Sequence, residues 1–260
     1  MFKLQDVHLR RGAQQALAGI DFELKAGDMV GILGSNGAGK STLLSMLAGE
    51  LHPDQGSATL EGKPLASFGL SELARRRAML PQTQAAPFEL TVEEVVGMGA
   101  YPWPERTPDE VAELTNQALA DADATCLRGR LCSTLSGGEM QRVQFARVLL
   151  QIRAGTDDAT RFLLLDEPTA HLDPKHQHQL LESARRLACE ERIGVAAVLH
   201  DINLAARWCN RLALLKQGRL VAEGPTAEAL TRDHLETTFG CPALLVPHPQ
   251  NFGQPFVLLG

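Results

Sequence analysis

The sequence predicts an α/β fold with a mostly parallel sheet, an antiparallel β flank and an inserted helical segment. Short apolar runs that end in Gly or Asp are typical of strands buried on both faces of a sheet: Met29–Leu33, Phe162–Leu165, Gly194–Leu199 and Leu212–Leu215. Helical patterns lie between these runs, and such alternation indicates a parallel sheet. Near the N-terminus apolar and polar residues alternate, which predicts antiparallel strands: Phe2–Leu9, Ile20–Leu24 and Ser57–Leu60.

Hydrophobic periodicity predicts the helices of this core at Ser41–Ala48, Glu139–Gln151 and Pro174–Cys189. The segment from Thr83 to Leu150 contains no convincing strand, and its patterns predict two further helices, at Thr91–Met98 and Pro108–Asp121. A Pro-rich turn at Tyr101–Pro104 separates these two helices. We therefore expect a helical insertion in the α/β core, followed by a polar surface loop at Arg153–Thr160.

The composition is that of an ordinary globular protein, with 260 residues, 44% hydrophobic residues and a formal net charge of −6. A chain of this length buries enough apolar surface to fold without a metal ion or disulfides. The acidic balance argues against a protein that wraps nucleic acid, and few aromatic residues are available for base stacking. We therefore expect no nucleic-acid partner.

The cysteines and the N-terminus indicate where the protein works. The five cysteines contain no CxxC pair, so they predict neither a disulfide framework nor a zinc site. The N-terminus lacks the apolar core of a signal peptide, and no apolar run approaches the roughly 20 residues that span a bilayer. These features predict a soluble, cytoplasmic protein whose membrane role would come through a partner.

A phosphate-loop pattern follows the first buried strand and opens a predicted helix. It consists of Gly34, Ser35, Asn36, Gly37, Ala38, Gly39, Lys40 and Ser41, with Thr42 directly after it. The glycines let backbone N–H groups surround phosphate oxygens, and the helix N-terminus adds its positive end. We expect Lys40 to reach the β- and γ-phosphates and the Ser41 hydroxyl to ligate magnesium. A plain Gly-rich turn is the weaker interpretation.

Two carboxylates end the apolar strand at Phe162–Leu165. A strand that brings Asp166 to the phosphate loop would provide the second protein ligand of magnesium. Glu167, one residue further, is placed to polarise an attacking water as a general base. The alternative, a solvated acidic turn, is disfavoured beside a phosphate loop.

A second anion site is predicted where Ser136, Gly137 and Gly138 expose backbone at the start of a helix. With this segment in place, the chain resembles the ATP-binding subunits of ABC transporters, whose signature it matches. The resemblance implies a homodimer in which the signature of one subunit caps ATP and Mg²⁺ held by the phosphate loop of the other. It also implies a single ATP-binding domain over residues 1–260, with a RecA-like core (1–82 and 160–260) and a helical subdomain (about 83–159).

Further residues match motifs of this family. Gln82 is similar to the Q-loop glutamine, which senses magnesium and water, and Asp173 to the acidic residue of the D-loop at the dimer interface. His200 resembles the switch histidine that holds the γ-phosphate, while Asp166 and Glu167 match the magnesium aspartate and the catalytic glutamate. The family usually stacks an aromatic residue on adenine, but residues 8–12 contain none. Arg11 is our candidate, because a guanidinium plane can stack on a purine; a solvated arginine is the alternative.

Several segments resemble the metal-chelate importer branch, which serves haem, siderophores and cobalamin: Phe88–Gly99, Leu199–Ala205 and Lys216–Gly224. The polar stretch at 153–160 is most similar to haem importers. The resemblance implies an ATPase motor at the cytoplasmic face of the bacterial inner membrane. Its partners would be two transmembrane permease subunits and, indirectly, a periplasmic cargo-binding protein. The alternatives are a siderophore or cobalamin importer ATPase and a soluble ABC-type ATPase of iron–sulfur cluster assembly.

Residues Phe88–Tyr101 are predicted to receive a cytoplasmic helix of the permease. The motivation is their mixture of apolar and acidic residues: Phe88, Glu89, Val92, Glu93, Glu94 and Met98. Packing within the insertion's own core is the alternative for each apolar member. We expect the cluster His171, His176 and His178 to be solvated or interfacial, and not a metal site.

Overall fold

The protein is described by a computed structural model over residues 1–12, 14–82, 89–248 and 251–260. Its strands are β1 (Phe2–Arg11), β2 (Gln14–Leu24), β3 (Met29–Gly34), β4 (Gln55–Leu60), β5 (Lys63–Pro64), β6 (Arg77–Leu80), β7 (Phe162–Asp166), β8 (Gly194–Val198), β9 (Arg211–Lys216), β10 (Arg219–Pro225), β11 (Ala243–His248) and β12 (Asn251–Leu259). Its helices are α1 (Lys40–Leu47), α2 (Leu70–Arg76), α3 (Val92–Gly97), α4 (Pro108–Asp121), α5 (Gly137–Arg153), α6 (Pro174–Glu191), α7 (Ile202–Trp208), α8 (Thr226–Ala229) and α9 (Arg232–Phe239).

A six-stranded sheet in the order β10-β9-β3-β8-β7-β6 carries the site. The strands from β9 to β6 run parallel, and β10 pairs antiparallel with β9 at the edge. Every residue of β3, β7 and β8 is buried, because helices or other strands cover both faces. The predicted α/β class and its largely parallel sheet are confirmed, and the carboxyl ends of β3, β7 and β8 meet at one edge.

A separate antiparallel sheet, in the order β2-β1-β4-β5, forms the predicted flank. Along these strands, alternate side chains point to one face of the sheet, which is buried. Phe2, Leu4 and Ile20 on this face belong to a hydrophobic cluster that also contains residues of α1. The ring centroid of Phe2 lies 4.5 Å from that of Phe162 in β7. This contact packs the flank onto the central sheet.

Helices occupy the chain between β6 and β7, as the sequence predicts. Helices α3, α4 and α5 each begin with a capping box, in which a Thr or Ser side chain and a Glu side chain satisfy the first amides. Buried Trp103 donates its indole N–H to the carbonyl of Gln151 at 3.0 Å, which fastens the Pro-rich turn to α5. An isolated bridge joins Thr91 to Leu131.

The predicted permease surface at Phe88–Tyr101 is wrong at Val92, and its member Glu93 bonds groups of its own chain. Val92 is fully buried in the main core. Glu93 accepts hydrogen bonds from the Gly129 amide, at 2.9 and 3.1 Å, and from Arg128. Both residues therefore hold α3 in place, while Phe88 lies outside the described residues.

The C-terminal elements are ones that the sequence analysis did not predict. Helices α8 and α9 are followed by the β11–β12 hairpin. Asn203 in α7 bonds the backbone of Val257 in both directions, at 2.8 and 3.0 Å, and so fixes the hairpin to α7. In the described part of the chain, no helix has both the length and the apolar character to cross a bilayer.

Candidate functional site

The phosphate loop connects the end of β3 to the start of α1, and two of its glycines are sterically required. Gly34 has φ 154°, and a side chain there would meet the Leu215 carbonyl oxygen in β9. Gly39 has φ 106°, and a Cβ there would lie 2.6 Å from the Ala16 carbonyl oxygen. Gly39 supplies no side-chain cap to α1, so the first amides of this helix are available to an anion.

Lys40 folds back over the loop that precedes it. Its Nζ donates to the carbonyl oxygens of Gly34, at 2.8 Å, and Ser35, at 3.1 Å, and the residue is 6% exposed. Burial lowers the pKa of Lys40, and the charges of Glu167 and Asp166 oppose that shift. The ammonium group therefore lies at the loop that would hold phosphate oxygens.

The side-chain oxygen atoms of Ser41 and Asp166 lie together beside the phosphate loop. The Ser41 hydroxyl donates to Asp166 Oδ1 at 3.2 Å, and Asp166 is 5% exposed. Burial raises the pKa of Asp166, with a further contribution from the Glu167 charge, while Ser41, Lys40 and His200 oppose the shift. A hydroxyl and a poorly solvated carboxylate are donors that suit Mg²⁺, so the residues fit this ion.

Glu167 follows β7 and is held by two residues from other segments. Gln82 Nε2 donates to Glu167 Oε2 at 2.7 Å, and His200 Nε2 lies 2.7 Å from Glu167 Oε1. Gln82 follows β6 and His200 follows β8, so neighbouring parallel strands deliver all three side chains to one edge. The structure thus brings together three predicted catalytic residues that are far apart in the chain.

Gln82, Glu167 and His200 line one cavity of about 440 Å³ together with residues of the phosphate loop and the start of α1, such as Asn36, Gly37 and Thr42. Arg11 also lines it, where the β1–β2 hairpin approaches the loop. Gln14 and Ala16 line the same cavity, and the sequence analysis missed both. The signal that could have found Gln14 is its cross-strand pairing with Arg11.

Four other predicted site residues line a second cavity, of about 460 Å³. They are Ser136, Gly137, Gly138 and Asp173, joined there by His171 and His176. Ser136 caps α5, and the hydrogen bonds from Ser136 to Glu139, with help from Arg130, lower the pKa of Glu139 to about 2. Within one chain the two cavities share no lining residue, so the structure does not bring this group to Lys40.

The histidine cluster divides between two environments, because His171 and His176 line the second cavity whereas His178 packs near Trp208. His171 is exposed in the second cavity, and His176 Nδ1 lies 2.8 Å from Asp173 Oδ2. The backbone amide and the ring of His176 lower the pKa of Asp173. The ring centroid of His178 lies 6.0 Å from that of Trp208. The three side chains therefore do not converge on one point.

Comparison with known proteins agrees with this geometry. The profile of the ABC transporter family matches residues 17–170. Hemin import ATP-binding protein HmuV of Bordetella avium is 49% identical over 255 residues, which is 98% of this chain and 98% of that protein.

Two solved structures show the same fold. One is a chain of an ABC transporter described as of the metal-chelate type, in an inward-facing conformation; it has a TM-score of 0.81 and 26% identity, covering 100% of this chain and 96% of that one. The other is a dimeric ATP-binding cassette in a post-hydrolysis state with ADP and Pi; it has a TM-score of 0.76 and 26% identity, covering 87% and 99%. The chain belongs to the ABC transporter family, as an ATP-binding subunit.

Proposed function

We propose that this protein is the ATP-hydrolysing motor subunit of an importer for haem. The observation that carries the proposal is Glu167 held between Gln82 and His200 on the wall of the phosphate-loop cavity. Near-complete alignment with a hemin import ATP-binding protein supports haem as the cargo. Binding of ATP follows from family membership.

The chemistry follows from the roles that these side chains can take. The phosphate-loop amides and Lys40 would bind the phosphates, and Ser41, Gln82 and Asp166 would hold Mg²⁺. When bound, this ion neutralises charge on the β- and γ-phosphates. Glu167 accepts a proton from the attacking water, and His200 contacts the γ-phosphate.

A head-to-tail homodimer accounts for the two separate cavities. Ser136, Gly137, Gly138 and Asp173 would complete the ATP site of the partner subunit, since they lie apart from the phosphate loop of their own chain. The relative that was solved with ADP and Pi is dimeric, which supports this arrangement. In such a dimer, ATP binding closes the interface and hydrolysis reopens it.

A groove beside α2 is our candidate contact for the permease. Leu70 and Tyr101 are 82% and 90% exposed, and they line a cavity of about 520 Å³ with Pro102 and Pro104. Apolar side chains this exposed are costly in water unless a partner covers them. This groove replaces Val92 and Glu93 of the predicted surface as the contact for a cytoplasmic permease helix.

The groove joins the two parts into which we divide the single domain: a RecA-like core (1–82 and 160–260) and a helical subdomain (about 83–159). Leu70 belongs to the first part and Tyr101 to the second. We place the subunit at the cytoplasmic face of the inner membrane, with two permease subunits and a periplasmic cargo-binding protein completing the importer.

Glu167→Gln tests the proposed chemistry. The amide preserves shape, so ATP binding should persist, while loss of a positioned base lowers kcat by about 10² to 10⁴. The measurement is steady-state phosphate release by the purified transporter beside an ATP-binding titration. Near-normal turnover would contradict the assignment of Glu167.

The cargo is tested separately in proteoliposomes that contain the complete transporter. Haem-loaded binding protein should stimulate ATP hydrolysis and transport, whereas a ferric siderophore or cobalamin should not. Stimulation by one of those two chelates alone would overturn haem while leaving the ATPase assignment intact.

A further inference from the structure

Seven residues connect the two cavities of one chain, from Glu167 in the first cavity to Asp173 in the second; we call residues 167–173 the linking segment. Two of its residues, Glu167 and His171, have left-handed φ angles of 51° and 62°, although neither is glycine. Such conformations persist only where surrounding contacts hold them. The side chains that provide those contacts therefore control where the Glu167 carboxylate lies.

Two glutamines on different helices bond the backbone of the linking segment. Gln141, in the signature helix α5, donates its Nε2 to the Pro168 carbonyl at 3.2 Å. Gln177, in α6, donates its Nε2 to the carbonyls of Leu172 at 3.0 Å and Thr169 at 3.3 Å. These bonds satisfy carbonyl groups of a turn in which the chain's own amides satisfy only part of the backbone.

The start of α5 also packs directly on this segment. A Cβ at Gly138 would lie 2.9 Å from the His171 carbonyl oxygen, so the close approach requires glycine. Pro168 is buried, while Gln141 and Gln177 are half-buried. A bond in such a site is shielded from water and resists replacement by solvent.

We propose that Gln141 and Gln177 are positioning residues for Glu167, which hold the linking segment so that its carboxylate meets Gln82 and His200. The proposal rests on the proposed catalytic role of Glu167. Neither glutamine lines the phosphate-loop cavity, so neither is placed to bind ATP. Loss of either donor frees backbone carbonyl groups of the linking segment, that of Pro168 for Gln141 and those of Thr169 and Leu172 for Gln177. Displacement of a catalytic group by about 1 Å costs on the order of 10²-fold in rate.

The test uses Gln141→Met in the complete transporter, because methionine keeps the length of the side chain and removes the donor. We expect kcat to fall about 10- to 100-fold while the KM for ATP and ATP binding change less than about twofold. Gln177→Met should act in the same direction. Because both side chains hold one segment, the double variant should lose much less than the product of the single losses.

Gln117→Met is the matched control, since Gln117 is an exposed glutamine on α4 that bonds Glu113 of its own helix. It should leave kcat unchanged. Thermal unfolding of each variant shows whether folding is preserved, and Gln177→Met tests the proposal if Gln141→Met does not fold.

A positioning role also predicts dependence on Glu167. In a Glu167→Gln background, single-turnover hydrolysis should not fall further when Gln141→Met is added, whereas a structural defect would lower it in both backgrounds. An equal loss in both backgrounds, or an unchanged kcat for both single variants, overturns the proposal. Normal turnover by Glu167→Gln alone instead overturns the proposed function, so the two failures are distinguishable.

Discussion

At the scale of single residues, Asp166 connects the chemistry of the site with its stability. Its carboxylate is almost fully buried, and burial raises its pKa above the ordinary value for aspartate. A carboxyl group whose pKa is raised in the folded state binds protons more readily there than in the unfolded chain. Its contribution to stability is therefore most favourable at low pH and declines as pH rises through the raised pKa.

We accordingly predict that Asp166→Asn stabilises the nucleotide-free protein at neutral pH, because it removes a buried charge. The gain should shrink as pH falls from the raised pKa of Asp166 toward the ordinary pKa of aspartate, about 4, where it should be nearly gone. Thermal unfolding from pH 4 to pH 8 measures this trend. The same variant should lose Mg²⁺-dependent hydrolysis, and a stability gain that grows toward low pH would contradict the argument.

The stacking of Arg11 on the adenine base of ATP stays a prediction. It is exposed and lines the phosphate-loop cavity, as the candidate for stacking on adenine must. A cation–π or stacking contact is worth about 0.5–2 kcal/mol. Arg11→Ala should therefore raise the Kd for ATP by roughly 2- to 30-fold, and Arg11→Tyr should restore binding. An unchanged Kd for ATP in both variants would show that Arg11 is a solvated side chain that does not contact the base.

At the scale of elements, α3 is an anchored helix and not a free docking surface. Glu93 accepts hydrogen bonds from the Gly129 amide, and Glu94 forms the capping box of α3 with Thr91. The acidic residues that the sequence analysis assigned to a partner thus satisfy backbone groups of their own chain. Leu70 and Tyr101, at either side of the groove beside α2, are the two most exposed large apolar side chains in the described part of the chain, and Met98 of the predicted surface is 50% exposed.

Two substitutions separate these roles. Glu93→Lys should lower the free energy of unfolding by about 0.5–1.5 kcal/mol, because the exposed Gly129 amide loses its carboxylate acceptor. Leu70→Glu should leave thermal unfolding nearly unchanged and weaken copurification with the permease. Normal copurification of Leu70→Glu with the permease would contradict the groove as the coupling surface. An unchanged free energy of unfolding for Glu93→Lys would contradict the anchoring role of Glu93.

At the scale of the whole molecule, the proposed head-to-tail homodimer combines the phosphate-loop cavity of one copy with the second cavity of the other. We expect a homodimer of Ser136→Arg and a homodimer of Lys40→Ala each to be inactive. A mixed dimer with one copy of each variant should contain one intact site. Ser136→Arg also removes the cap of α5, which costs about 1 kcal/mol.

We predict partial ATPase recovery when the two inactive proteins are mixed, and ATP-dependent dimerisation of Glu167→Gln in analytical ultracentrifugation. Each inactive protein measured alone is the control. No recovery together with a monomer at saturating ATP would contradict the head-to-tail homodimer.

Local patterns in the sequence were sufficient for the elements and for the chemistry of the motifs. Buried strands read as continuous apolar runs, and the phosphate loop needs glycine where side chains would collide with the backbone of β2 and β9. The Pro108–Asp121 helix was predicted at its observed bounds, because Thr107, Pro108 and Glu110 form a strong start signal. The C-terminal hairpin was missed, since its position depends on Asn203, distant in sequence.

The sequence alone therefore determined the family, the sheet, the phosphate-loop motif and the two carboxylates that follow the apolar strand at Phe162–Leu165. Tertiary structure decided which of them meet: Glu167 with Gln82 and His200 in one cavity, and Ser136 in another. It also decided that Val92 and Glu93 support α3. The physical reason is range: periodicity and turn chemistry act over a few residues, whereas burial and hydrogen-bond partners depend on residues that only the folded chain brings together.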